Sequence, residues 1–105
     1  MPTNTQLYDE ADKLKDSGDL EGAAAKLEEL LVQDPSYALA HSALAVVYGR
    51  LKQHDKAITH AERVCQLEPN DAFSFTALSV TYQRAGKIRE AEDAKARAQM
   101  MGGMH

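Results

Sequence analysis

The chain has 105 residues, of which 44% are hydrophobic, and a formal net charge of −4. This length fits one small domain, residues 1–105, and the acidic balance argues against nucleic acid as a partner. No apolar run approaches the roughly 20 residues that a membrane span needs, and residues 1–6 lack the basic and apolar regions of a secretory signal. The single cysteine excludes an internal disulfide and is typical of a reducing compartment. We therefore expect a cytoplasmic protein without nucleic-acid or membrane partners.

A 34-residue period organises the chain. Pro35 and Pro69 stand 34 positions apart, and each follows an acidic residue. Other positions that keep this step are Leu14, Tyr48 and Tyr82; Ala11, Ala45 and Ser79; and Ala23, Ala57 and Ala91. The step divides the sequence into three units, residues 4–37, 38–71 and 72–105. A fixed period of this length is typical of stacked helical repeats.

The first unit has the pattern of two antiparallel helices. Thr3 and Gln6 form a capping-box pattern, which predicts a helix start. A Ser-Gly-Asp break at 17–19 ends this helix, and Asp19 can cap the next one. Pro35 stops the second helix because proline lacks the backbone N–H. The predicted apolar faces are Leu7, Ala11 and Leu14 in the first helix and Leu20, Ala23, Leu27, Leu30 and Leu31 in the second.

The second and third units repeat this pattern. Residues 53–55 are the predicted turn of the second unit and residues 69–71 its end, while residues 86–87 form the turn of the third. The apolar faces are Leu44, Ala45, Tyr48, Leu51, Ala57, Ile58, Ala61, Val64, Cys65 and Leu67, and then Phe75, Leu78, Tyr82, Ile88, Ala91, Ala94 and Ala98. We expect the small residues that keep the 34-residue step to lie where two helices cross most closely, since a larger side chain would push the axes apart.

Together these positions resemble the tetratricopeptide repeat over essentially the whole chain. The residues that carry the resemblance are Leu44, Ala45, Tyr48, Ala57, Ala61 and Pro69 in the middle unit and Phe75, Leu78, Ser79, Tyr82, Gly86 and Ala91 in the last. The resemblance implies an all-α, right-handed superhelix of three helix-turn-helix units with six helices. It also implies a non-enzymatic protein–protein interaction module that acts as an adaptor or scaffold. Glu92, Lys95 and Gln99 replace apolar residues of the earlier units, so we expect the last helix to cap the array and the chain not to be a fragment of a longer one.

In this family the first helix of each unit lines a concave groove. The resemblance places the partner-binding groove on Tyr8, Asp12, Leu39, Val46, Arg50, Phe73, Val80 and Arg84. Leu39 would lie beside Phe73 and Val46 beside Val80, which gives an apolar strip with Tyr8, and Arg50 would lie beside Arg84. Such a surface suits a protein or peptide with an apolar anchor and, optionally, an acidic group.

Self-assembly is the alternative function. Residues 1–37 carry three basic and nine acidic side chains, a net charge of −6, whereas residues 72–105 carry five basic and three acidic ones, a net charge of +2. The acidic end of one copy could meet the basic end of another, with the same groove buried in a homo-oligomeric structural protein.

One activity known in the family does not fit these residues. Some members grip the C-terminal carboxylates of cytosolic heat-shock chaperones with a clamp of Lys, Asn, Asn, Lys and Arg. The matching positions here are Tyr8, Asp12, Ala43, Phe73 and Ala77. None of them matches the clamp, and the carboxylate of Asp12 would repel another carboxylate. We therefore do not expect a chaperone tail as the ligand.

The sequence holds no recognisable catalytic or phosphate-binding motif, so we expect no catalytic residue, no metal site and no cofactor. Cys65 has apolar neighbours and is expected to be a buried structural thiol. His41 is expected to pack between helices, while His54 and His60 do not share a helix face, which argues against a metal pair. Residues 102–105 are predicted to be a flexible tail.

Overall fold

The computed structural model describes residues 1–102, and within that range the chain forms six α-helices. Their bounds are α1 Asn4–Asp16, α2 Leu20–Gln33, α3 Ala38–Arg50, α4 His54–Leu67, α5 Ala72–Arg84 and α6 Ile88–Gly102. Each helix begins 34 residues after its counterpart in the preceding unit. The predicted all-α solenoid of three helix-turn-helix units is therefore confirmed. The predicted turn at 53–55 is too long, because α4 already begins at His54.

The turn inside each unit has the same backbone geometry. Gly18, Lys52 and Gly86 are 34 positions apart, and their φ angles are 91°, 61° and 81°. The residue after each of them donates its N–H to a carbonyl five positions back, at 2.8 Å from Asp19 to Leu14, 2.8 Å from Gln53 to Tyr48 and 2.9 Å from Lys87 to Tyr82. This closure ends the first helix of each unit. At Lys52 the left-handed conformation costs about 1–2 kcal/mol, since this residue carries a side chain.

The predicted caps of the first unit are confirmed. The hydroxyl of Thr3 accepts from the backbone N–H of Gln6 at 3.1 Å, and the Gln6 side chain accepts from the N–H of Thr3 at 2.8 Å. Asp19 accepts from the N–H of Gly22 at 2.9 Å. These bonds satisfy N–H groups that have no partner within the helix.

The buried side chains form two clusters that meet at α4. The first cluster joins α1 to α4, and its fully buried side chains include Leu7, Leu30 and Leu44. The second cluster joins α4 to α6 and contains Ala61, Cys65, Phe75, Leu78, Ala94 and Ala98. The alanines that keep the 34-residue step in the second helices, Ala23, Ala57 and Ala91, are buried, and in the third unit the hydroxyl of Ser79 donates to the carbonyl of Ala91 at 2.8 Å.

The end of the array differs from the sequence prediction in two places. Ile88 is 56% exposed instead of facing the core, because no helix follows α6 within residues 1–102 to cover this first residue of the helix. Gly102 belongs to α6, while the rest of the predicted tail, residues 103–105, lies outside the described residues. The polar side chains of Glu92, Lys95 and Gln99 are exposed on α6. None of the helices up to Gly102 combines the length and the apolar character needed to cross a membrane.

Candidate functional site

A groove of about 510 Å³ lies between α3 and α5, with α4 as its floor. We call it the α3–α5 groove. Its lining residues are Ala38, Leu39, Ser42, Ala45 and Val46 from α3; Ala61, Val64, Glu68 and Asp71 from α4 and the following turn; and Phe73, Ser74, Ala77, Val80, Thr81 and Arg84 from α5. Small residues form the floor because α4 must pack closely against both neighbouring helices. The groove therefore lies between the second and third units.

Four large apolar side chains stand exposed along the two walls of this groove. Leu39 and Val46 on α3 are 59% and 42% exposed, and Phe73 and Val80 on α5 are 84% and 40% exposed. In each helix the pair is seven residues apart, which is about two turns, or 10.5 Å along the axis. Single exposed apolar residues are ordinary, but a contiguous set over one concave surface is typical of a contact site.

The two ends of the groove carry opposite charges. Glu68 and Asp71 lie at the end where α5 begins, and Arg84 is the last residue of α5. The Asp71 carboxylate is engaged, because it accepts from the N–H of Phe73 at 3.0 Å and from the hydroxyl of Ser74 at 3.2 Å. Within residues 1–102 the side chains of Glu68 and Arg84 form no hydrogen bond or ion pair, so both remain free for a partner.

The structure divides the eight predicted groove residues among different places. Five of them line the α3–α5 groove: Leu39, Val46, Phe73, Val80 and Arg84. Tyr8 and Asp12 line a separate cleft of only about 10 Å³ beside α1, where Asp12 forms an ion pair with Lys15 at 3.2 Å. Arg50 is the exposed last residue of α3 and lines neither space. Tyr8 packs near Tyr37, with 6.4 Å between ring centroids, and does not extend the apolar walls.

Sequence reasoning missed the floor and the acidic end of the groove. Ala61, Val64 and Glu68 belong to the second helix of a unit or directly follow it, whereas the prediction used first helices alone. A usable signal was present, because Ala61 stands where the first unit has Leu27 and so leaves room above α4.

A second polar cluster lies away from the groove, at the joint between the first and second units. His41 Nε2 is 2.8 Å from the Pro35 carbonyl oxygen, and His41 Nδ1 is 2.9 Å from His60 Nδ1. His60 Nε2 is 3.3 Å from Glu28 Oε1, and the His60 ring stacks on Tyr48 at 5.7 Å between centroids. His41 is buried between helices, as predicted. The partner of His60 is thus His41, on the preceding helix.

The hydrogen-bond partners assign roles to the two rings. A carbonyl oxygen only accepts, so His41 Nε2 donates to the Pro35 carbonyl oxygen, and His41 Nδ1 can accept from His60 Nδ1. Burial lowers the pKa of His60 below the ordinary 6.5, the carboxylate of Glu28 partly offsets this, and His41 lowers the pKa further. Burial therefore disfavours a charge on His60, and the cluster acts as a structural joint.

Two further perturbed groups, Cys65 and Tyr82, also have structural explanations. Burial raises the pKa of the Cys65 thiol to about 11, and its Sγ lies 3.4 Å from the Ser74 carbonyl oxygen. Burial, together with a hydrogen bond to Glu62 at 2.7 Å, raises the pKa of Tyr82 to about 12. A thiol with so high a pKa is a poor nucleophile. In the described part of the chain no group of three or more His, Cys, Asp or Glu residues is placed to hold a metal ion.

Comparison with protein families identifies the fold class. Residues 11–52 match the model of the TPR repeat, and residues 38–71 match that of the tetratricopeptide repeat. The two matches together span residues 11–71, more than half of the chain. The chain belongs to the tetratricopeptide repeat family.

Known proteins with similar sequence or structure agree with this assignment. The chain is 30% identical over 87 residues to the human PEX5-related protein, and the match spans 83% of the chain but 14% of that relative. One crystal structure of MamA superposes with a TM-score of 0.87 at 21% identity, covering 95% of the chain and 58% of MamA. The second TPR domain of Spaghetti (RPAP3), solved bound to the HSP90 peptide SRMEEVD, superposes with a TM-score of 0.83 at 16% identity, covering 94% and 92% of the two chains. The likeness to these structures shows the fold.

Proposed function

We propose that the chain is a non-enzymatic interaction module, an adaptor or scaffold, that binds a peptide or a segment of a partner protein in the α3–α5 groove. The observation that carries the proposal is the set of four exposed apolar side chains on the two walls of one groove. Aromatic residues that insert into a partner commonly contribute most of the binding free energy. Phe73, which is 84% exposed at the mouth of the groove, is the proposed anchor.

Both the geometry of the groove and the similarity to a peptide-bound TPR domain support a peptide as the partner. The second TPR domain of Spaghetti binds a peptide, which favours a peptide ligand for this chain as well. The acidic sequence of that peptide is not the one we propose here. Asp12 is already paired with Lys15, and Phe73 and Ala77 offer no charge to a carboxylate. A cytoplasmic location is part of the proposal and is supported by the free, buried Cys65; fractionation of cells that express a tagged chain tests it.

Affinity capture with matched variants tests the groove. Val46→Glu and Phe73→Glu place a carboxylate in the apolar groove, and Val32→Glu makes the same change at a valine that is 84% exposed elsewhere on α2. We expect the two groove variants to lose the proteins that the wild-type chain captures and Val32→Glu to keep them. All three should retain their helix content, as measured by circular dichroism. Capture that is equal for all variants would refute the assignment of the groove.

Self-assembly predicts a different result. The net charges of −6 and +2 in the first and third units would make association depend on salt. Light scattering over a range of protein and salt concentrations measures this directly. A monomer under all conditions rules out assembly as the main role, whereas a salt-sensitive oligomer that Val46→Glu disrupts would replace the proposed peptide by a second copy.

A further inference from the structure

The charges at the two ends of the α3–α5 groove define which peptide it accepts. We infer that the groove binds an extended segment of about six residues with a basic residue at one end, apolar residues in the middle and an acidic residue at the other end. This inference rests on the proposed function, since it names the partner class of the same groove. It goes further in assigning a role to Glu68, which pairs with the basic residue, and to Arg84, which pairs with the acidic one.

The acidic end has an unbalanced charge. Glu68 is the C-cap residue of α4, so its carboxylate lies at the helix end that already carries a partial negative charge. Asp71 adds a second carboxylate nearby, but Asp71 caps the N-terminus of α5 and is partly neutralised there. A cation from a ligand would relieve the repulsion at Glu68. This makes Glu68 the stronger attraction at this end of the groove.

The opposite end is basic. Arg84 lines the groove and is exposed, and a guanidinium can form two parallel hydrogen bonds with a carboxylate. Arg50 is also exposed and ends α3, as Arg84 ends α5. Because α3 and α5 each run antiparallel to α4, both arginines lie at the same end. An acidic residue of the ligand is therefore favoured at this end, and a basic one is repelled.

The separation of the charged ends sets the length of the ligand. Helix α5 has 13 residues, so it spans about 20 Å. An extended chain covers that distance in about six residues. An extended segment of that length would therefore reach from Glu68 at one end of the groove to Arg84 at the other.

Selection from a phage-displayed library of random 16-residue peptides tests the inference. Immobilised wild-type chain should enrich peptides that Val46→Glu does not enrich, and the enriched set should carry a base and an acid about six positions apart around apolar residues. Arg84→Glu should select a base in place of the acid, and Glu68→Lys an acid in place of the base. A synthetic peptide of the consensus should bind up to about fivefold more weakly to Arg84→Gln, while Arg89→Gln, an exposed arginine outside the groove, should leave its affinity unchanged.

The outcomes separate this inference from the proposed function. No enrichment over Val46→Glu would overturn the groove as a binding site altogether. Enriched peptides without paired charges, or peptides whose charges do not follow the Glu68 and Arg84 reversals, would leave the groove function intact and overturn its polarity. A base and an acid about 13 positions apart would indicate a bound helix and overturn the extended segment.

Discussion

Two leucines on α3 have different roles, since one holds the fold together and the other faces the proposed ligand. Leu44 is fully buried in the first cluster, whereas Leu39 stands 59% exposed in the α3–α5 groove. Leu44→Ala removes core contacts and leaves a cavity, which costs about 2–5 kcal/mol of unfolding free energy. Leu39→Ala loses about two-fifths of the roughly 1.5–3 kcal/mol of full burial, or about 0.6–1.2 kcal/mol. Domains of this kind have a total stability of about 5–15 kcal/mol. Leu44→Ala should therefore remove a large share of the unfolding free energy and Leu39→Ala a small one.

Urea unfolding followed by far-ultraviolet circular dichroism measures both variants. An unchanged m value would show that each variant exposes the same surface on unfolding as the wild-type chain. We also expect Leu39→Ala to weaken binding of the selected peptide while keeping most of its stability. Equal destabilisation by the two substitutions would refute the reasoning, because it would mean that Leu39 is packed and that the groove wall belongs to the core.

Three further predictions concern the core and its titratable groups. Ala57→Leu should cost about 1–3 kcal/mol by overpacking, and Ala96→Leu, on the exposed face of α6, should change the unfolding midpoint little. The pKa of His60 is lowered in the folded chain, so stability is full above about pH 6.5 and falls as the pH drops through the lower folded value. Urea unfolding at about pH 7.5 and about pH 5.5 should show a smaller loss of stability in His60→Asn than in wild type, and an equal loss in the two would contradict this reasoning. With a pKa of about 11, about 1 in 1,000 Cys65 thiols is ionised near pH 8. A disulfide reagent should therefore react with Cys65 more than about 100-fold faster in denaturant than in the folded chain. Equal rates in the two conditions would contradict the burial of this thiol.

The repeat period predicted most of the fold because each helix meets mainly its neighbours. Proline, glycine and the small residues at fixed steps are local signals, and local contacts build this architecture. The period also predicted that Leu39 would lie beside Phe73, and both residues line the α3–α5 groove. It did not show that Tyr8 and Asp12 line a separate small cleft between α1 and α3, where Leu27 and Val47 form part of the lining.

The histidine pair could not be predicted from the sequence. His41 and His60 are 19 positions apart and lie on different helices, and their contact depends on side-chain rotamers. The spacing argument compared His54 with His60, which lie on one helix. A one-helix comparison cannot detect a partner that a neighbouring helix supplies. Glu68 was not predicted for a related reason. It follows α4 and becomes part of the groove only because α3 and α5 pack beside that helix.

The two joints between units differ in their chemistry, and this has a mechanical consequence. Buried apolar side chains cross both joints, but imidazole contacts also tie α2, α3 and α4 together at the first, whereas the Cys65–Ser74 contact ties α4 to α5 at the second. In a solenoid each repeat contacts only its neighbours, so the contacts at these joints determine how the units are oriented and how easily that orientation changes. Mild acid would soften the first joint and leave the second unaffected, so the curvature of the array would change at one end while the groove kept its shape.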